Sequence, residues 1–170
     1  MAIIASELNY YYSGGAANSS GDASLGGAVS SVEITSGSLH NLFDIVNVSE
    51  ATAGDVEYRG IYIANDNASL DLLSAAIYIE SDSTSADTDI SIALAPEGAG
   101  ASMETLANEF TEPSGVTWHS LVGAGNSLPI GGDLPFGDSL GIWIRRTVSP
   151  GASAVASDTA SLRFNGGTAA

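Results

Sequence analysis

The sequence predicts an all-β fold: an antiparallel β-sandwich of about eight strands, jelly-roll or Ig-like, preceded by an extended N-terminal arm. Three observations carry that expectation. Short segments with two-residue alternation of apolar and polar side chains recur along the chain. The intervals between them carry turn chemistry, as in Ala64-Asn65-Asp66-Asn67, Pro96-Glu97-Gly98, Pro113-Ser114-Gly115, Gly131-Gly132-Asp133 and Ser149-Pro150-Gly151. Gly, Ser and Ala dominate the rest, with 20 glycines in 170 residues, and Gly and Ser weaken helix interiors. Strand number and spacing do not choose between the two sandwich topologies.

The first element is the arm, residues 1–28. Tyr10, Tyr11 and Tyr12 run into residues 13–24, all of them Ser, Gly, Ala, Asn or Asp, and Leu25 is the next large apolar side chain. Such small side chains bury too little area to offset the entropy of ordering their backbone. The segment is therefore a loose tail or is laid down on something else. The tyrosines favour the second reading, because large amphipathic rings are enriched where one surface meets another. An arm of this kind can add a strand to an exposed sheet edge on another subunit. The remainder, residues 29–170, reads as one β domain, as the length suggests.

Within that domain, strands are expected at 30–35, 42–48, 57–64, 70–80, 88–95, 116–122, 139–148 and 160–164. The alternation is clearest in Tyr58-Arg59-Gly60-Ile61-Tyr62-Ile63, in Ile90-Ser91-Ile92-Ala93-Leu94 and in Ile142-Trp143-Ile144. Residues 102–110 alone have helical character, with Met103, Leu106 and Phe110 near one face, enough for a single turn.

Charge narrows the function classes. Twenty acidic residues face four basic ones, a net charge of −16; the four are Arg59, Arg145, Arg146 and Arg163, and there is no lysine. Nucleic-acid binding needs Lys and Arg to neutralise phosphates, and an anionic membrane needs the same, so neither is expected as a partner. There is no cysteine, hence no disulfide framework or thiolate metal site. The start of the chain lacks the basic and apolar regions of a signal peptide. No apolar stretch approaches the roughly 20 residues of a membrane span. Synthesis in the cytoplasm, without export, is the expectation.

No catalytic, cofactor or metal site is expected. Gly98-Ala99-Gly100 and Gly123-Ala124-Gly125 each begin a GxG, but neither has the third glycine of a dinucleotide loop, and a P-loop lysine is impossible here. His40 and His119 have no GxSxG elbow to serve and read as strand-edge residues. Glu104, Glu109 and Glu112 are numerous enough for a glycosidase pair, but nothing marks two of them out. Asp82, Asp87 and Asp89, with Glu80, lie around a Ser/Thr loop with partial calcium-ligand spacing but not the EF-hand pattern. A solvated acidic hairpin is the simpler reading, with calcium left open.

Arg145 and Arg146 stand out more. As neighbours on the apolar strand Ile142–Val148 they point to opposite faces. One reading is an internal ion pair plus a solvent-facing charge. The other is an arginine meeting an acidic patch on a neighbouring subunit.

Three stretches resemble the virion structural proteins of tailed bacteriophages. The first is the opening, from Leu8 through the tyrosines to Ser31. The second is Glu57-Tyr58-Arg59-Gly60-Ile61-Tyr62-Ile63-Ala64-Asn65. The third is Gly141-Ile142-Trp143-Ile144-Arg145-Arg146-Thr147-Val148, followed by the terminal Leu162-Arg163-Phe164-Asn165-Gly166. Ser149 departs from the pattern, placing Pro150 one position later than in those proteins. The resemblance implies a non-enzymatic head decoration (cement) protein on the outer capsid surface. Such a protein is made in the host bacterial cytoplasm, binds the major capsid protein and is commonly a homo-oligomer, with a trimer favoured. Its expected interface residues are Tyr10, Tyr11, Tyr12, Arg59, Trp143, Arg145 and Arg146. The alternative is a tail or baseplate β-domain whose Trp118, Trp143 or tyrosines stack on host carbohydrate.

Overall fold

The computed structural model describes residues 2–120, 122–155 and 157–168. Met1, Leu121, Ala156, Ala169 and Ala170 lie outside the described residues, so the ends of the expected arm and domain, and Leu121 of the expected strand 116–122, are not placed. In chain order the strands are β1 (Leu8–Ser13), β2 (Gly26–Gly27), β3 (Val29–Glu33), β4 (Asp55–Asn65), β5 (Leu73–Ser81), β6 (Thr88–Leu94), β7 (Met103–Thr105), β8 (Leu128–Pro129), β9 (Ser139–Val148) and β10 (Ser161–Gly167). One short helix, α1, spans Val48–Ala53.

The fold is all-β, and every pair of strands runs antiparallel. A five-stranded sheet has the order β3-β1-β4-β9-β6, a three-stranded sheet the order β10-β5-β8, and β2 pairs with β7. The backbone of the large sheet is β4 against β9, in unbroken register from Asp55↔Val148 to Ala64↔Ser139.

Alternation assigns each side chain to a face. On one face Ile61, Ile63, Ile90, Ile92, Leu140, Ile142 and Ile144 meet Ala75, Ile77, Ile79 and Phe164 of the smaller sheet in the main apolar cluster. The opposite face carries Tyr58, Tyr62, Ala93 and Trp143, covered by Ala95, Met103 and Leu106. The large sheet is thus buried on both sides, which accounts for nine consecutive buried residues in β4.

The expected arm is placed differently. Its tyrosines belong to β1, which lies between β3 and β4 of the chain's own sheet, with Leu8↔Asn65, Tyr10↔Ile63 and Tyr12↔Ile61 in register. The physical reason is a second alternation. Leu8, Tyr10 and Tyr12 face the main cluster, while Asn9, Tyr11 and Ser13 face the other way, as a half-buried strand requires. The segment does add a strand to an open edge, but that edge is internal.

The small residues after it are explained by close backbone approach. Gly26, at φ +88°, passes over Trp143; a Cβ there would stand 2.9 Å from the indole and 1.8 Å from the Glu104 carbonyl oxygen. A Cβ on Gly21 would meet the Leu42 carbonyl at 2.2 Å. The Gly/Ser run is a lid lying on the sheet, held by Gly60 N–H donating to Ser24 O and by Leu106 N–H donating to Leu25 O.

Two other expectations are corrected. Residues 42–48 form no strand; they are a loop that enters α1 through a capping box, Asn47 Oδ1 accepting from the Ser49 and Glu50 amides while Glu50 accepts from Asn47 N–H. Residues 102–110 form no helical turn: Met103–Thr105 is β7, because Met103 and Leu106 pack down onto Trp143 and its neighbours. Among the described residues of 116–122, only single bridges form, His119 with Ile92 and Val122 with Ile79.

Gly141 gives a direct test of the second face. A Cβ there would stand 2.4 Å from Met103 Cγ and 2.7 Å from its sulfur. Gly141→Ala is expected to lose about 1–3 kcal/mol to overpacking, and Met103→Ala in the same chain to recover part of that loss. Urea denaturation of the two single variants and the double variant measures the coupling.

Candidate functional site

Three of the arginines singled out from the sequence, Arg59, Arg145 and Arg146, collect at one end of the large sheet. Glu57, Arg59 and Arg146 project from the face that carries Ile61 and Ile144, beyond the reach of the smaller sheet. The loop before α1 closes over them instead. Phe43 sits between the two guanidiniums, with Arg146 Cζ 4.9 Å and Arg59 Cζ 5.4 Å from its ring centroid.

Each arginine is held by carbonyls and carboxylates together. Arg59 donates to the carbonyls of Leu42 and Tyr58 and pairs with Glu109, with Asp22 at 3.7 Å. Arg146 donates to the Asp44 carbonyl at 2.6 Å and to its carboxylate at 3.1 Å, and pairs with Glu57. Guanidinium is suited to this role because its planar fork satisfies several acceptors at once. Burial pushes the Glu57 carboxyl up to about 7, against the opposing pull of Arg146 and Arg59. The same cause raises Asp55.

On the opposite face Arg145 lies over Trp118, 4.8 Å from the ring centroid, and donates to Ser91 Oγ. Trp118 is tilted against Tyr58 at 5.6 Å and donates its indole N–H to Glu112. The two adjacent arginines do therefore serve opposite faces, Arg146 in an internal ion pair and Arg145 in a half-buried stack.

This geometry bears on the expected interface residues. Trp143 and Arg59 are fully buried within the chain, and Tyr12 and Arg146 are nearly so. A side chain enclosed by its own fold cannot be the surface that grips a partner, so for these four the interface assignment is replaced by a structural role. Trp143 is likewise closed to stacking on a sugar. Tyr10 and Tyr11 are half-buried, their hydroxyls donating to the Leu162 carbonyl and to Asp66.

Burial, joined at Tyr11 by the neighbouring Asp66 carboxylate, pushes both hydroxyls up to about 12. The folded chain then holds more protons than the unfolded chain between about pH 10 and pH 12, so stability falls across that window. Ultraviolet titration at rising pH is expected to show at least these two of the six tyrosines ionising late or only with unfolding.

The remaining candidates are occupied with local structure. Glu104 accepts from Ser114 N–H and Oγ–H, Glu109 pairs with Arg59 and Glu112 holds Trp118. Asp82 accepts from the Ser83 and Ile90 amides, and Asp87 from the Ser153 amide. Beside them, Asp158 accepts from Ser83, Thr84 and Ser85. Burial works against that carboxyl, yet the hydrogen bonds together hold it below the usual range. Among the described residues no group of three or more His, Asp or Glu side chains has the arrangement to hold a metal ion. His119 contributes backbone bonds to Ile92, and His40 is exposed in a left-handed conformation at φ +54°.

Sequence reasoning missed the loop partners of the arginines, Phe43 and Asp44. Asp44 lies 102 residues from Arg146 in sequence, Phe43 beside it, and no local pattern links them. No protein-family model, curated protein or solved structure matches the chain.

Proposed function

We propose that the protein is a non-enzymatic structural component of a tailed-bacteriophage virion, a head decoration protein that lies on the outer capsid surface and bridges neighbouring major capsid protein subunits. The observation that carries this reading is where the virion-like stretches fall. They supply β1, most of β4 and most of β9, which stand side by side in the large sheet, and they extend to β2, part of β3 and most of β10. In this reading the likeness lies in the framework of the sheet, as suits a load-carrying protein.

The ionic chemistry supports the same reading. Arg59 and Arg146 tie loops to that framework and leave a surface dominated by carboxylates, which suits a position outside the capsid, away from packaged DNA. In this reading the two larger sheets are the layers of a β-sandwich, and copies assemble as a symmetric homo-oligomer, a trimer matching a lattice junction.

The test is to mix the purified protein with undecorated tailed-phage capsids and image the particles by cryo-electron microscopy. Added density at symmetric surface positions is the expected result. Capsids left bare at saturating protein would overturn the proposal.

A further inference from the structure

Strand β10 carries a dipeptide that occurs nowhere else in the chain. Of the nine asparagines, Asn165 alone precedes a glycine, Gly166. Glycine has no Cβ to crowd its own amide nitrogen, so that nitrogen can reach back to the preceding side chain. The fold also requires this glycine. A Cβ on Gly166 would stand 2.6 Å from Leu72 Cγ and 2.9 Å from the Leu73 carbonyl oxygen.

The Asn165 side chain is uncommitted. Among the described residues the other eight asparagines each make a side-chain hydrogen bond, in caps, turns or ties between loops. Asn165 makes none, and it is exposed, as are Gly166 and Gly167.

The Gly166 amide is uncommitted as well. On β5, Ala75 bonds through its N–H and C=O to Gly132 and Ile130, and the Ile79 carbonyl accepts from Gly123 N–H. These residues therefore turn their backbone groups away from β10. By antiparallel alternation, Ala76 and Tyr78 turn theirs toward it and bond their register partners Asn165 and Arg163. Leu162, Phe164 and Gly166 then face the other edge of β10, where no strand pairs. Tyr10 Oη–H reaches the Leu162 carbonyl from that side at 3.4 Å. Nothing among the described residues accepts from Gly166 N–H there. Just past Asn165 the register shifts beside Ser74, at φ +50°, and only Gly167↔Leu73 pairs beyond it.

We infer that Asn165-Gly166 is a site of self-modification, at which the folded chain deamidates through a cyclic imide. Hydroxide removes the Gly166 amide proton, and the nitrogen attacks Asn165 Cγ. The N–Cγ bond forms, the Cγ–Nδ2 bond breaks, and the side-chain nitrogen leaves as ammonia with a proton from water. Water then opens the ring. Attack at Cγ gives aspartate on the ordinary main chain. Attack at the Asn165 carbonyl carbon gives isoaspartate, with the main chain rerouted through Cβ and Cγ. One water is consumed and one ammonia released, with no oxidation or reduction.

Leu162 and Phe164 face the core, so Asn165 and Arg163 share the outer face of β10. Either product therefore places a carboxylate near Arg163, in competition with Glu80 for the guanidinium. Isoaspartate also lengthens the main chain just ahead of the Gly167↔Leu73 pair and so loosens the end of the strand. This chemistry needs only the chain and water, whatever the protein binds.

The test ages the full chain in mildly alkaline buffer, folded and in urea. Its peptides are then mapped by mass spectrometry with electron-based fragmentation, which separates isoaspartate from aspartate. Asn165 is expected to convert first, and to both products. The folded chain is expected to convert within about ten-fold of the unfolded rate, a local opening of no more than about 1.4 kcal/mol. The Asn165→Gln chain, whose side chain would have to close a larger ring, is expected to melt as the parent does and to remain unmodified at this position. Earlier conversion of another asparagine, or a folded chain slowed by more than that ten-fold, would overturn the inference. So would aspartate as the sole product, which is the mark of direct hydrolysis without an imide, or an Asn165→Gln chain that deamidates there as fast as the parent.

Discussion

Removal of residues 1–28 is expected to abolish folding of the remaining chain. β3 is joined to the large sheet only through β1, so the deletion detaches one strand and removes another. It exposes the edge of β4 along Ile61–Asn65, takes Leu8 and Tyr10 away from the main cluster and removes the buried Tyr12 ring. It also lifts the lid from the second face. Ser13 Oγ–H donates to the Gly60 carbonyl and accepts from Gly26 N–H, and the Tyr62 hydroxyl donates to the Gly27 carbonyl, so these bonds disappear together. Fully burying a large apolar side chain stabilises by about 1.5–3 kcal/mol. Several such losses, with Trp143 uncovered, reach the 5–15 kcal/mol that is the whole stability of a typical domain. The expected product is a chain without a dispersed amide spectrum or a cooperative melt. A well-dispersed spectrum from residues 29–170 would show instead that the segment is a detachable arm. Tyr12→Ala gives a graded version, with a loss of about 3 kcal/mol in urea denaturation at a side chain that is 7% exposed.

How much of this was legible in the sequence depended on whether a signal was local. β9 is found at its expected bounds because Ile142, Trp143 and Ile144 alternate without interruption and Arg145 and Arg146 continue the pattern. β4 and β6 are found for the same reason. β1 is equally periodic, yet three adjacent tyrosines look apolar on both faces, and with the glycine run after them they read as an arm laid on another surface. The small residues of that run were correctly read as unable to form a core; their purpose as a thin cover over Trp143 depends on Gly26 and Gly60, whose partners are remote in sequence.

The 42–48 error has a local cause. Leu42-Phe43-Asp44-Ile45-Val46 has strand-like composition, but Asn47-Val48-Ser49-Glu50 is a helix start, and that signal was present to be read. The site was legible only in part. That two neighbouring arginines serve opposite faces follows from the pleat. That Arg146 would find Glu57 across the strand pair required the β4–β9 register, and that Asp44 would join them required the path of a loop 102 residues away.

Arg146→Met is expected to destabilise the protein in a pH-dependent way, severely above neutrality and mildly in weak acid. Glu57 is 2% exposed and stands directly across from Arg146 in the strand register. Its folded-state carboxyl titrates at about 7, above the ordinary 4.5, because burial outweighs the pull of the arginines. The folded chain therefore binds a proton more readily than the unfolded chain between about pH 4.5 and pH 7. Glu57 accordingly contributes a decline in stability as pH rises through that window, on the order of 3 kcal/mol in all. Removing the guanidinium takes away the main attraction that permits ionisation there. At pH 8 the variant must either hold an unpaired buried carboxylate or bind a proton against the solution, and loss of one partner of a buried pair costs about 3–5 kcal/mol. At pH 5 Glu57 is already protonated, so the variant loses chiefly packing and the bonds to Asp44. Replacing the whole pair, as Arg146→Met with Glu57→Leu, is expected to restore most of the stability at pH 8, since apolar substitutes for a buried ion pair are often neutral or better. Urea denaturation at pH 5, 6, 7 and 8 measures all three chains. An Arg146→Met penalty that does not grow with pH, or a double variant no more stable than the single one, would show that the pair is not what sets the pH dependence at this end of the sheet.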